Sequence, residues 1–390
     1  MNFARTSALC ALTTLTAALG AAGCNGSSGR SPAPSAATAA SATSGSTTSG
    51  ATSGATSGST SPGATPAPTT PTATGPTYRV SGWLPYWAYA SGDRTLAANV
   101  GNGLDEVNLF GYKLNADGSL TAYAGVEDAA RQATIRNLGG ELIPTVMDVH
   151  DSTVLDRVLA SAAARQRAIT AVVDLLGRFG YDGIDIDLEH AKTATRDAFS
   201  GFMEDMSAAV RARGKVFSLT IPGKRADRPS WVGYDYVRLA PTADRVKLMC
   251  YGYSGPWSAQ PGPICPTTWI ERVMDYAITT MPASKIQIGI PFYGYDWPAN
   301  GGAVRSVTWA TAQAKLARSA GGMRFDAALG ETTFTYTDDA GVSHTVWFQD
   351  ARAIAAKCDV ARQYGAAGIA VWALGNESQT FWDEVRRVLK

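Results

Sequence analysis

The segment Asp182-Gly183-Ile184-Asp185-Ile186-Asp187-Leu188-Glu189 places four carboxylates within eight residues. The last three acids alternate with Ile184, Ile186 and Leu188, a period of two, so the stretch reads as a β-strand. On such a strand Asp185, Asp187 and Glu189 share one face and the aliphatic side chains take the other. Asp182 has the opposite parity, so a structural place at the strand's entry, beside Gly183, is expected for it. Like charges at neighbouring same-face positions repel, and at low dielectric they cannot all ionise. That row is costly as scaffolding. It is useful where a carboxylic acid must keep its proton near neutrality, as general acid catalysis requires.

The elements that must carry this strand can be read from the rest of the chain. From Tyr78 to Lys390, short apolar runs alternate with helical patterns. The expected strands are Arg79–Leu84, Glu106–Phe110, Glu141–Val146, Gly183–Leu188, Val216–Ile221, Arg245–Cys250, Ile286–Ile290 and Gly368–Trp372. Between them lie helical stretches such as Arg196–Arg213 and Ala162–Phe179, the latter with Ile169, Val172, Val173 and Leu176 at helical spacing. Eight strands alternating with helices predict an α/β fold, a (β/α)8 TIM barrel, with its active site at the carboxyl ends of the strands. The alternation breaks once. Thr332–Thr337 and Ser343–Phe348 flank the turn Asp338-Asp339-Ala340-Gly341, a hairpin signal. A small α+β insertion at about 298–350, between strands 7 and 8, is expected to wall one side of a groove.

The first 77 residues differ in kind. Residues 1–23 read as an export signal, with Arg5 ahead of an apolar stretch too short to span a membrane as a mature helix. Gly20-Ala21-Ala22-Gly23-Cys24 is similar to a lipobox, although Ala21 stands where Leu is usual. Cys24 is therefore either lipidated, the favoured reading, or a chance cysteine in a secreted chain. Residues 24–77 are Ser, Thr, Gly, Ala and Pro, and cannot bury enough apolar surface to offset chain entropy, so a disordered linker is expected. Either way the protein is extracytoplasmic, and membrane contact is expected only through Cys24. A net charge of +1 without a basic cluster argues against nucleic acid as a partner. Cys250 and Cys265 could bridge a short loop, contributing about 3 kcal/mol, and Cys358 is left over. The cysteine spacing fits no zinc pattern and His150, His190 and His344 are scattered, so neither metal nor cofactor is expected. His150 and His190 read as packing or loop histidines, and the chain as a monomer.

At these residues the chain resembles glycoside hydrolase family 18, the chitinases and endo-β-N-acetylglucosaminidases. Asp182, Asp185, Asp187 and Glu189 match its Asp-x-x-Asp-x-Asp-x-Glu signature. Lys247-Leu248-Met249-Cys250-Tyr251 is similar to the family's sixth strand, Lys285 to Gly294 to the seventh, and Gly368 to Gly375 to the eighth. Two departures stand out. Gly252 follows Tyr251 where the family commonly has an acid or amide, so that residue's contact is missing or supplied elsewhere. The third strand ends Pro144-Thr145-Val146-Met147-Asp148, without the chitinase Ser-x-Gly-Gly pattern. Asn108-Leu109-Phe110-Gly111-Tyr112, followed by Asp117-Gly118-Ser119-Leu120, is more similar to the branch of spore-cortex and peptidoglycan-lytic enzymes.

The resemblance implies a retaining glycosidase in which the sugar's 2-acetamido oxygen, not a protein carboxylate, attacks the anomeric carbon. Glu189 would then protonate the leaving oxygen and later act as base, and Asp187 would bind the acetamide N–H. Asp185 would share a proton with Asp187, and Tyr251 would donate to the acetamide oxygen. The partner implied is an oligo- or polysaccharide containing N-acetylglucosamine, either chitin oligomers or bacterial wall glycan. Trp372, at the end of the eighth strand, is a candidate floor for a sugar ring. Met249, Tyr293, Tyr112 and Trp87 are candidate sugar contacts at or just after strand ends. Trp297 follows the seventh strand, and for these aromatics packing is the equal alternative. The rival function is a catalytically weak, chitinase-like carbohydrate-binding protein, a class that usually loses the acid retained here as Glu189.

Overall fold

The computed structural model describes residues 77–148, 151–228 and 232–390. The expected signal segment, Cys24, His150 and all but the last residue of the linker lie outside the described residues. Within them, eight parallel strands close into a barrel: β1 (Arg79–Pro85), β2 (Glu106–Leu114), β3 (Thr145–Met147), β4 (Gly183–Asp187), β5 (Val216–Pro222), β6 (Arg245–Met249), β7 (Ile286–Pro291) and β8 (Gly368–Trp372). Each pairs with the next, and β8 returns to β1. The third expected strand is split, with Glu141–Leu142 pairing with β2 ahead of β3. Helices run between the barrel strands, and no described helix is long and apolar enough to cross a membrane.

The alternation along β4 sorts its side chains as the pattern requires. Ile184 and Ile186, with Leu188 just beyond, are buried in the layer between barrel and helices. Asp185 and Asp187 turn inward, Asp185 level with Thr145 and Ser218, and Asp187 level with Met147 and Thr220. Gly183 is required by close strand approach, since a Cβ there would meet the Val216 carbonyl oxygen at 2.4 Å. Asp182 fixes the entry of β4. Its Oδ2 accepts from the Leu142 N–H at 2.8 Å, and its own N–H donates to the Leu142 carbonyl at 3.0 Å. The preceding helix, Ala162–Phe179, begins where the Ser161 hydroxyl accepts from the Ala164 N–H and ends at Gly180 with φ 62°.

The insertion begins slightly earlier than its hairpin signal suggests. A five-stranded antiparallel sheet takes Gly294–Pro298 directly after β7, then Arg305–Val307, Arg324–Asp326, Glu331–Thr337 and Ser343–Phe348. One cluster on this sheet holds Val307, Phe334, Tyr336, Val346 and Phe348 against the helix Trp309–Leu316. Another cluster joins Trp297 and Trp347 to Ile264, with Tyr251 and Tyr293 packed against it. Buried Glu331 accepts from the Ile264 N–H at 2.9 Å and the Cys265 N–H at 2.5 Å. The insertion is thus tied to the loop after β6, which carries Tyr251, Ile264 and Cys265.

Candidate active site

The deepest of the three inward acids is enclosed by donors. Asp185 accepts from Trp83 Nε1 at 3.1 Å, Thr145 Oγ1 at 3.0 Å, Ser218 Oγ at 2.7 Å, Thr220 Oγ1 at 3.1 Å and Lys247 Nζ at 3.0 Å. These groups come from β1, β3, β5 and β6, so barrel closure is what assembles them. Lys247, itself fully buried, also pairs with Glu106 at 2.8 Å. Lys247 and Arg245 overcome the burial of Glu106 and hold its carboxyl down at about 2. The barrel's lower interior is therefore a charged network rather than an apolar plug.

One level up the environment reverses. Asp187 is buried, and its Oδ1 makes no hydrogen bond within the protein. Burial, followed by the charges of Glu189, Asp185 and Asp148, pushes its carboxyl well above the usual carboxylate range. Glu189 follows the end of β4 and is partly exposed. Burial of its carboxyl and the charge of Asp148 raise it to about 7, with His190 pulling the other way. Asp148, immediately after β3, accepts from the Glu189 N–H at 2.8 Å through Oδ1. Its Oδ2 lies 3.2 Å from His190 Nδ1. Neither Asp148 nor the pairing of His190 stands out in the sequence.

Tyr251 follows β6, two strands round the barrel from β4. Burial and the charges of Asp187, Glu189 and Asp185 push its phenol well above the usual range, so the hydroxyl keeps its proton. Its ring meets Tyr293 edge-on at 6.3 Å, and Tyr293 meets Tyr295 at 5.4 Å. Met249, partly exposed, shares its face of β6 with Lys247. Trp372 ends β8, partly exposed, 4.9 Å from Phe110 and 6.1 Å from Trp83, and its peptide to Ala373 is cis. Trp87 stands 54% exposed, 6.2 Å from both Trp372 and Phe110. An aromatic rim thus borders the inward acids.

Several expected contacts sit elsewhere. Tyr112 does not line the mouth. A bulge between Phe110 and Tyr112 in the pairing with β3 turns it outward, where its hydroxyl bonds that of Tyr181 at 2.8 Å beneath the helices. Phe110 takes the inward place instead. Trp297 is buried inside the insertion's aromatic cluster. Cys250 and Cys265 do not bridge, and with Cys358 they are free, buried thiols. Gly252 adopts φ 80°, a left-handed backbone that suits glycine, with the Trp257 ring close over it. An acid that contacts Glu189 comes from Asp148, not from position 252.

Residues 83–377 match the glycosyl hydrolases family 18 profile, and the chain belongs to that family of glycoside hydrolases. Among curated proteins it is 31% identical over 245 residues to the uncharacterized glycosylase YvbX of Bacillus subtilis, covering 62% of this chain and 71% of that one. It is 30% identical over 241 residues to the cortical fragment-lytic enzyme of the same organism, covering 59% of this chain and 55% of that enzyme. Among solved structures, a chitinase from Chromobacterium violaceum superposes with a TM-score of 0.73 at 28% identity, over 80% of this chain and 99% of that one.

Proposed function

We propose that the protein is an exported retaining glycosidase that cleaves β-linkages in N-acetylglucosamine-containing glycans, using the substrate's own acetamido group as nucleophile. The observation that carries this reading is Asp187 Oδ1, a buried acceptor without a protein partner, on a carboxyl that interacts electrostatically with a proton-holding Glu189 and with the phenol of Tyr251. An acetamide offers the matching pair, an N–H for Asp187 and a carbonyl oxygen for the Tyr251 hydroxyl. So held, that oxygen attacks the anomeric carbon while Glu189 gives its proton to the departing glycosidic oxygen. The glycosidic C–O bond breaks, and the electron pair leaves with the protonated alcohol. Asp187, with the Asp185–Lys247 network beneath it, faces the positive charge that develops on the cyclised acetamide. Glu189, now a carboxylate, takes a proton from water as that water opens the intermediate. Two inversions restore the original anomeric configuration. The bulge that turns Tyr112 away leaves Trp372, Phe110 and Trp87 as the aromatic surface for sugar faces.

Export rests on residues 1–23 and on the linker composition of 24–77, and Cys24 is the proposed lipid anchor. Chitin oligomers and peptidoglycan both present the required unit. Release of a reporter from aryl glycosides of N-acetylglucosamine oligomers, compared with Glu189→Gln, tests the reading. Turnover in the wild type that the variant loses supports it. Tight oligosaccharide binding without turnover in either protein transfers the chain to the carbohydrate-binding class. Mass analysis of peptidoglycan and chitin digests then assigns the substrate. Muramic-acid fragments ending in a new reducing N-acetylglucosamine identify wall glycan.

A further inference from the structure

We propose that Asp148 and His190 form a positioning pair for Glu189, in which Asp148 fixes the backbone of the proton donor and His190 sets the pH range over which that donor works. The inference rests on Glu189 being the acid. Asp148 has a fully buried side chain, and one of its oxygens is used on the Glu189 N–H. A neutral acceptor would satisfy that N–H equally well, so what the carboxylate adds is charge. Burying a charge is costly unless a counter-charge is near. The cation at hand is His190, whose Nδ1 stands 3.2 Å from the second oxygen with a side chain 28% exposed. The two atoms are close without forming an aligned hydrogen bond. Direct contact with Asp148 and its charge both favour the protonated ring, and the partly exposed ring exchanges protons with solvent.

The charged and titratable groups around the pair come from several elements. Asp187 and Asp185 lie on β4, and Asp151 and Lys192 in the loops after β3 and β4 act on or feel His190. Lys247 of β6 faces Asp187. Tyr251, after β6, and Tyr234, whose hydroxyl donates to the Leu188 carbonyl, are phenols that stay neutral. Asp148 is the strongest charged neighbour of Glu189, and its contact raises His190 above the ordinary imidazole range. While His190 is protonated, the pair is close to neutral. Once it deprotonates, the Asp148 charge bears fully on Glu189, and the acid holds its proton more firmly. The pair therefore extends the alkaline limb of activity beyond that of an isolated buried glutamate.

The test is the pH profile of kcat/KM on a reporter glycoside for the full chain. His190→Gln removes the positive charge and moves the alkaline limb up by about one pH unit. Asp148→Asn keeps an acceptor for the Glu189 N–H but removes the negative charge, and moves the limb down by about as much. The loss of repulsion outweighs the weakened imidazolium, because Asp148 is the stronger influence on Glu189. Asp148→Ala also loses the backbone contact, so its rate falls at every pH. Limbs that stay in place, or that move in the same direction in both variants, overturn the proposal. Independently of turnover, the NMR titration of the His190 ring must move to lower pH in Asp148→Asn, and an unmoved titration overturns the pairing. Wild-type turnover in Glu189→Gln would instead remove the underlying assignment of the acid, a separate failure.

Discussion

Replacing Glu189 with glutamine is expected to stabilise the folded protein at alkaline pH even as it removes the proposed proton donor. The native carboxyl sits near 7 against an ordinary value of 4.5. A raised native value means that the folded state binds the proton more tightly than the unfolded chain. The associated stability is fully present below 4.5 and is lost as pH rises through about 7. The gap of 2.5, taken at about 1.4 kcal/mol per unit, gives a loss of up to about 3.5 kcal/mol above neutrality. Partial exposure of the side chain trims this figure toward the lower end. Glutamine keeps the shape and does not titrate, so the variant escapes the loss. Urea unfolding of both proteins, followed by tryptophan fluorescence, should give equal stabilities at about pH 4 and an advantage for Glu189→Gln at about pH 8.5. A difference independent of pH, or a variant less stable at the alkaline end, would falsify the assignment of Glu189 as a carboxyl forced to hold its proton by burial.

Three further outcomes are expected. Lys247→Met leaves the fully buried Glu106 and Asp185 without their shared cation, and should lower the unfolding free energy by about 3 kcal/mol or more in urea titrations; unchanged stability would mean that Arg245 alone neutralises the network. Trp372→Ala should lower kcat/KM on N-acetylglucosamine oligomers by about tenfold or more, and unaltered kinetics would remove it from the sugar floor. Alkylation of the native protein followed by peptide mapping should find Cys250, Cys265 and Cys358 unmodified. All three are buried, and burial pushes the Cys358 thiol up to about 12.

The barrel was legible because strands of an all-parallel sheet are covered on both faces and read as apolar runs. Gly368–Trp372 matches its expected bounds for that reason, and Ala162–Phe179 matches because Ser161 and Gly180 mark both ends locally. The acids of β4 were legible because alternation settles their facing without reference to any other strand. Tyr112 was a candidate because it closely follows the expected strand Glu106–Phe110, but that strand runs on to Leu114 and the bulge after Phe110 turns Tyr112 outward, so the packing alternative holds. The donors of Asp185 are spread from Trp83 to Lys247, so nothing local shows that they meet. Asp148 and His190 are likewise brought together by the pairing of β3 with β4, which puts Met147 level with Asp187.

That pairing explains how two acids on one strand come to have different surroundings. Two residues of strand separate Asp185 from Asp187, a rise of about 7 Å. Across that rise the neighbours change from Lys247, Ser218 and Thr145 to an environment that leaves one Asp187 oxygen unpaired. A carboxyl surrounded by donors serves as a fixed charge. One deprived of them keeps a proton and an open acceptor for a substrate N–H. The assignment of roles therefore lies in the heights of β3, β5 and β6 relative to β4, not in the acids themselves. Shifting any one of those strands by a single residue would turn its inward donors out toward the helices and remove its contribution to Asp185. The four-carboxylate signature thus specifies a site only in combination with this register, which Gly183 protects at β5 by admitting the Val216 carbonyl where a side chain could not fit.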